Sequence, residues 1–166
     1  MPTDAEITFA DHVGRFYARR YGMAPMVGRL LGYLAVCDPR DQSIAELTEA
    51  LLASRSAIAG AVGALETLGL IHRSRAAGER MDRIRIDMSS SHAMGFDVSE
   101  YREQGELARE GLRVIADALP GRQAVLLEWA AFADFLAERL PLLEKDWNAH
   151  REALRDAGQL PANPPG

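Results

Sequence analysis

At 166 residues, with 48% apolar and 26% charged side chains and a net charge of −5, the sequence has the make-up of a globular protein, not of a disordered or fibrous one. No apolar run approaches the ~18 residues that cross a bilayer, and the opening Met1-Pro2-Thr3-Asp4-Ala5-Glu6 is acidic where a secretory leader is basic and then apolar, so a cytoplasmic location without a membrane partner is expected. A lone cysteine, Cys37, excludes an internal disulfide framework; ending an apolar helical pattern, it reads as a small buried hydrophobe before a redox sensor.

The predicted elements are helical almost throughout. Thr3-x-x-Glu6 has the form of a capping box, and Phe9, His12, Val13, Phe16, Tyr17 and Arg20 follow at helical spacing up to Gly22. Pro25 opens a second helix carrying Val27, Leu30, Leu31, Leu34 and Ala35, which Asp38-Pro39 stops. Ser43-x-x-Glu46 caps a short third helix ending near Ala53, and Ser54 caps a fourth whose Ile58, Val62, Leu65 and Leu68 run to a stop at Gly69. The period then changes to two: Ile84, Ile86 and Met88 alternate with Arg83, Arg85 and Asp87, and Ile71 to Arg75 can pair with them across residues 76–81. A lone hairpin is marginal in water, so its apolar face must rest on the preceding helices.

Residues 89–95 read as a linker, and Asp97-x-x-Glu100 opens a helix through Leu107, Leu112 and Ile115 to Leu119, broken by Pro120-Gly121. A further helix from Arg122 carries Val125, Leu126, Trp129, Phe132, Phe135, Leu136 and Leu140, with Pro141 either kinking it or starting another. The expected fold is mainly α with a small β-hairpin wing: a winged helix-turn-helix over 25–90, an N-terminal dimerisation helix over 1–24, a C-terminal helical dimerisation region over 97–157 and a disordered tail over 158–166. Apolar faces of this width on the C-terminal helices are expected to bury against a second copy; the alternative is a bundle folded back on its own domain.

Charge distribution points to DNA in spite of the acidic total. Residues 71–85 hold five arginines against two acids, whereas 97–166 hold thirteen acids against eight bases, and Lys145 is the sole lysine. No HExxH, Cys/His cluster, GxSxG, GxGxxG or P-loop occurs, so neither an enzyme nor a cofactor is expected.

Ser54-Arg55-Ser56-Ala57-Ile58 leading to Leu65-Glu66-x-Leu68-Gly69-Leu70-Ile71-x-Arg73, and then Gly78-Glu79-Arg80-x-Asp82-Arg83, resembles the MarR-type winged-helix repressors. Phe16-Tyr17-x-x-x-Tyr21-Gly22-x-x-Pro25, with Gly28-Arg29-Leu30-Leu31-Gly32-Tyr33-Leu34, is similar to their GbsR-like branch. The resemblance covers roughly residues 8–88 and implies a homodimeric transcriptional regulator whose affinity for double-stranded DNA responds to a small-molecule effector. Ser54, Arg55 and Ser56 then lie where helix N–H groups favour a phosphate, with guanine as the alternative target of Arg55. Arg80 and Arg83 resemble the family's wing-tip arginines, with Asp82 orienting a neighbour, and Arg73 and Arg75 would meet phosphates.

The remaining face of the fourth helix, with Ala57, Ala59, Gly60, Gly63 and Ala64, departs from many family members, which place a longer polar or basic side chain near Gly60. Its two glycines, each costing about 1 kcal/mol against alanine, are explained by close approach to DNA, by tight packing or by tolerance. Trp129, Phe132, Phe135 and Trp147 are either core or an aromatic pocket, in which a quaternary ammonium ligand of the kind associated with GbsR-like regulators would fit. The alternative function is a winged-helix-shaped protein-interaction module without specific DNA binding.

Overall fold

The computed structural model describes residues 1–75 and 81–161. Arg80 in the hairpin loop, and 162–166 of the tail expected to be disordered, lie outside the described residues. The chain forms two compact units, Met1–Met94 and Gly95–Gly166. Among the described residues no helix is long and apolar enough to cross a membrane.

In the first unit, α1 (Asp4–Tyr21) begins at a complete capping box: the Thr3 N–H donates to the Glu6 carboxylate at 2.6 Å while the Glu6 N–H donates to Thr3 Oγ1 at 3.3 Å. Gly22, at φ +67°, ends it in the left-handed conformation that glycine adopts without cost. Pro25 occupies the first turn of α2 (Pro25–Val36). The two helices touch backbone to backbone. A Cβ on Gly28 would stand 3.0 Å from Gly14 Cα, and one on Gly32 would stand 2.8 Å from Val13 Cβ and 2.9 Å from Ala10 Cα. Arg29 closes this seam, its Nε 2.6 Å from Asp11 and its Nη1 donating to the Leu51 carbonyl at 2.8 Å.

The short helix α3 (Ile44–Ala50) starts at a second capping box, Ser43 with Glu46, and ends three residues before the expected Ala53. Leu52, at φ +49°, turns the chain toward Ser54, the N-cap of α4 (Arg55–Thr67). Leu30, Leu47, Leu51, Ile58, Val62, Leu65 and Ile84 are fully buried in one shared core. Each such side chain contributes about 1.5–3 kcal/mol of burial, which is why α2, α3 and α4 hold together although α3 is too short to be stable alone.

Strands β1 (Ile71–Ser74) and β2 (Arg83–Ile86) pair antiparallel in the register Ile71↔Ile86, His72↔Arg85, Arg73↔Ile84, Ser74↔Arg83. Buried Ile71 and Ile84 seat the hairpin on the helical core. The other edge of β2 is pinned as well: Gln42 and Ile84 exchange both backbone hydrogen bonds, at 2.9 and 2.8 Å. Gln42 is itself buried, its side-chain amide donating to the Pro39 carbonyl at 2.6 Å. The wing is therefore tied directly to the segment that leads into α3.

The second unit is a helix pair, α5 (Ser99–Val114) and α6 (Pro120–Asp156). Small residues line the contact: Gly105, Ala108, Ala130 and Ala133 are the buried positions. Arg109 grips both oxygens of Asp134 at 2.5 and 2.6 Å, and the Gln123 amide donates to the carbonyls of Ile115, Ala116 and Ala118, stapling the turn. Two prolines of this unit behave differently from expectation. Pro120 does not merely break α5 but begins α6, where its missing N–H leaves nothing unsatisfied. Pro141 neither ends α6 nor starts a new helix. It removes one hydrogen bond, but about six turns precede it and about four follow, so either half propagates across the local loss.

Candidate nucleic-acid interface

The N-terminus of α4 is open to solvent. Ser54 Oγ accepts from the Ala57 N–H at 3.2 Å and lies 3.1 Å from Ser56 Oγ, so one of the free N–H groups of the first turn is satisfied internally. Arg55, Ser56, Ala57, Ala59 and Gly60 are exposed, and among the described residues no carboxylate pairs with Arg55. A guanidinium beside unpaired N–H groups and the positive end of a helix is an anion-attracting arrangement.

The hairpin arginines stand differently. Arg75 Nε lies 2.7 Å and Arg73 Nη1 3.6 Å from the Asp82 carboxylate, and Arg73 also reaches Glu66 on α4 at 3.1 Å. Arg83 Nη1 lies 2.8 Å from Glu46 on α3. Asp82 thus engages Arg75 and Arg73; Arg80, one of the two arginines beside which it was expected to act, lies outside the described residues. The register adds a second distinction, because Arg73 shares its face with Ile84 whereas Arg83 shares the face of His72 and Arg85.

These contacts set the local acid–base behaviour. Hydrogen bonds from Ser43, and then the Arg83 guanidinium, hold the Glu46 carboxyl below the ordinary carboxylate range, and Arg75 does the same to Asp82. A carboxyl whose folded pKa is depressed stabilises the fold fully above its unfolded pKa and loses that contribution as pH falls through the folded one. Denaturation midpoints should therefore fall as pH drops from about 5 to 3, and Glu46→Gln should flatten that fall; an unchanged slope in urea titrations would remove Glu46 as a contributor.

The glycines of α4 meet nothing. Among the described residues a Cβ on Gly60 or Gly63 has no heavy atom within 4 Å, so packing against them does not account for either glycine. Alanine at each should raise stability by up to about 1 kcal/mol, visible in thermal denaturation. If DNA backbone approaches α4 closely, the same variants will bind DNA more weakly; stabilised variants with undiminished binding would leave tolerance as the explanation.

On α6, Trp129 and Phe132 are 38% and 57% exposed and flank a shallow hollow with Val125 and Glu128. Trp147 stands eighteen residues beyond Trp129, about 27 Å at 1.5 Å per residue, so it lies apart from the hollow beside Trp129 and Phe132. Glu46 and Glu66, which hold Arg83 and Arg73, were not legible as partners: Glu46 was visible only as a helix cap, and a pair thirty-seven residues apart leaves no local pattern.

Three comparisons with known proteins bear on this arrangement. Residues 91–150 match a family model described as MmpR5-like MarR family transcriptional regulator. The chain is 36% identical over 121 residues to the HTH-type transcriptional regulator MmpR5 of Mycobacterium tuberculosis (strain ATCC 25618 / H37Rv), an alignment covering 72% of this chain and 73% of that protein. A crystal structure of a transcriptional regulator superposes with a TM-score of 0.80 at 29% identity, covering 87% of this chain and 99% of the other.

Proposed function

Because the chain belongs to the MmpR5-like MarR family of transcriptional regulators, we propose that it is a cytoplasmic homodimeric repressor that binds double-stranded DNA through α4 and the wing and releases it in response to a small-molecule effector. The observation that carries the DNA contact is Arg55, exposed and without a carboxylate partner among the described residues, at the open N-terminus of α4. Ser54, Ser56, Ala57 and Gly60 form the surrounding surface, and Arg73, Arg75, Arg80 and Arg83 supply the wing's positive charge. With no long side chain on the outer face of α4, base readout falls to Arg55 and to apolar contact with thymine methyl groups, and DNA shape carries the rest.

Homodimerisation is supported by the large apolar side chains that α6 and α1 leave exposed, among them Val125, Phe132, Phe135, Phe9 and Phe16. A two-fold assembly would present two α4 helices to half-sites one helical turn apart. The narrower GbsR-like placement rests on the N-terminal pattern; its Gly28 and Gly32 serve the α1–α2 seam. One observation favours a second function, a protein-interaction module: Arg73, Arg75 and Arg83 are all engaged by acids of their own chain.

Fluorescence anisotropy on DNA from the region upstream of the coding sequence distinguishes the two. The repressor should bind a palindromic site with two chains per site; failure to distinguish that DNA from scrambled sequence would favour the interaction module.

A further inference from the structure

A groove of about 820 Å³ opens in the first unit between the first turns of α1, the end of α2 and the outer side of α3. Its charge is one-sided. Asp4, Glu6, Asp38, Glu46 and Glu49 line it, and among the described residues no lysine, arginine or histidine does; the α-ammonium of Met1 acts on Glu6 from within it. Ile7, Pro39, Ala50 and Leu52 add apolar wall.

Tyr33 lines the same groove while only 5% exposed, and among the described residues its hydroxyl has no hydrogen-bond partner. Burial, together with the nearby Cys37, Glu6 and Glu46, pushes its pKa up, so the phenol is neutral and its oxygen can accept a hydrogen bond. The ring is buried while the hydroxyl opens onto the groove, where water or a bound donor can satisfy it. At the rim, Leu52 is 92% exposed at φ +49°, a left-handed backbone that leucine adopts only at a cost.

We infer that this groove binds a small organic amine carrying N–H donors, with the ammonium set between Glu6, Glu46 and the Tyr33 hydroxyl and its apolar body against Ile7, Pro39 and Leu52. Carboxylates and a phenolic oxygen are acceptors, so they reward a primary or secondary ammonium over a quaternary one, which has no N–H to give. The occupied groove also has a route to the wing. Glu46 holds Arg83 at 2.8 Å, and an ammonium competing for that carboxylate loosens its grip. This second step rests on the proposal that Arg83 contacts DNA; the first does not.

Isothermal titration of the full chain without DNA tests the site, using phenethylamine, tryptamine and octylamine, with phenyltrimethylammonium and phenylacetate as controls. At least one amine should bind with a submillimolar Kd, and both controls should fail. Glu6 and Glu46 cap helices, so the variants are Tyr33→Phe and Glu49→Gln, each expected to weaken binding at least about fivefold. No amine binding up to about 5 mM, the upper end of weak small-ligand affinity, or binding untouched by both substitutions, overturns the site.

A DNA titration with saturating amine tests the route. Affinity should rise at least about threefold in the wild type and not in Arg83→Ala; a fall would overturn the route. An amine that binds without altering DNA affinity overturns the route through Glu46 and leaves the groove assigned. If Arg83→Ala alone leaves DNA affinity unchanged, the DNA contact of Arg83 is what fails.

Discussion

Gly32→Ala should destabilise the first unit by on the order of 1–3 kcal/mol, in the direction opposite to Gly60→Ala. Alanine is the better helix former at both positions, by about 1 kcal/mol, so propensity alone predicts two gains. What decides the sign is what the new methyl meets. At Gly32 it would stand 2.8 Å from Val13 Cβ and 2.9 Å from Ala10 Cα, atoms fixed to the backbone of α1, so relief requires the two helices to move apart. That separation would also disturb the Arg29 bridge from Asp11 to the Leu51 carbonyl, which ties α1, α2 and the end of α3 together. Thermal melts of the two variants against the wild type check the pair. A Gly32→Ala protein as stable as the wild type would mean that the α1–α2 seam yields more easily than its geometry implies.

Arg55→Ala should cost on the order of 1–3 kcal/mol of DNA binding if the guanidinium reads a base, with relaxed preference at that base pair. If it meets only phosphate, the loss will be smaller and uniform across sequences. Stability should hardly change, since no carboxylate among the described residues is left without its partner. Arg83→Ala is expected to cost a similar amount of binding but to act through a second contact, because Glu46 loses an exposed ion pair worth at most about 1 kcal/mol. Glu46→Gln supplies the complementary measurement. Glutamine preserves the capping box while removing the charge that competes with DNA for Arg83, so its DNA affinity should rise; unchanged affinity would disconnect this ion pair from DNA binding.

Features encoded by near neighbours were legible in the chain. The capping boxes Thr3/Glu6 and Ser43/Glu46, the Ser54 cap and the stops at Gly22 and Gly69 all depend on residues within one helical turn, and each appears where its pattern stands. The change from helical to alternating period at Ile71 likewise marked the hairpin, since it follows from the two backbone repeats themselves. What depends on tertiary crossing was not legible. Gly32 and Gly60 both look like glycines inside helices, and only the path of α1 makes one indispensable and leaves the other open.

The same limit governed the candidate interface. Arginine content identified the wing, but the register that puts Arg73 opposite Ile84, and the acids that engage Arg73, Arg75 and Arg83, come from strand pairing and helix placement. Gln42, the residue that pins β2 to the segment before α3, carries no sequence signature because both of its ladder bonds are made by the backbone. Pro141 shows the converse, a strong local breaker absorbed by a 37-residue helix.

Guanidinium groups of α4 and the wing that meet the phosphate backbone of a specific DNA site would make binding salt-dependent, which is measured most directly on upstream DNA for the wild type and for Arg55→Ala together with Arg83→Ala. A steep linear fall of log K with log salt is predicted, shallower by about one unit for each phosphate contact removed. Binding indifferent to salt, or the same slope in the double variant, would contradict those contacts.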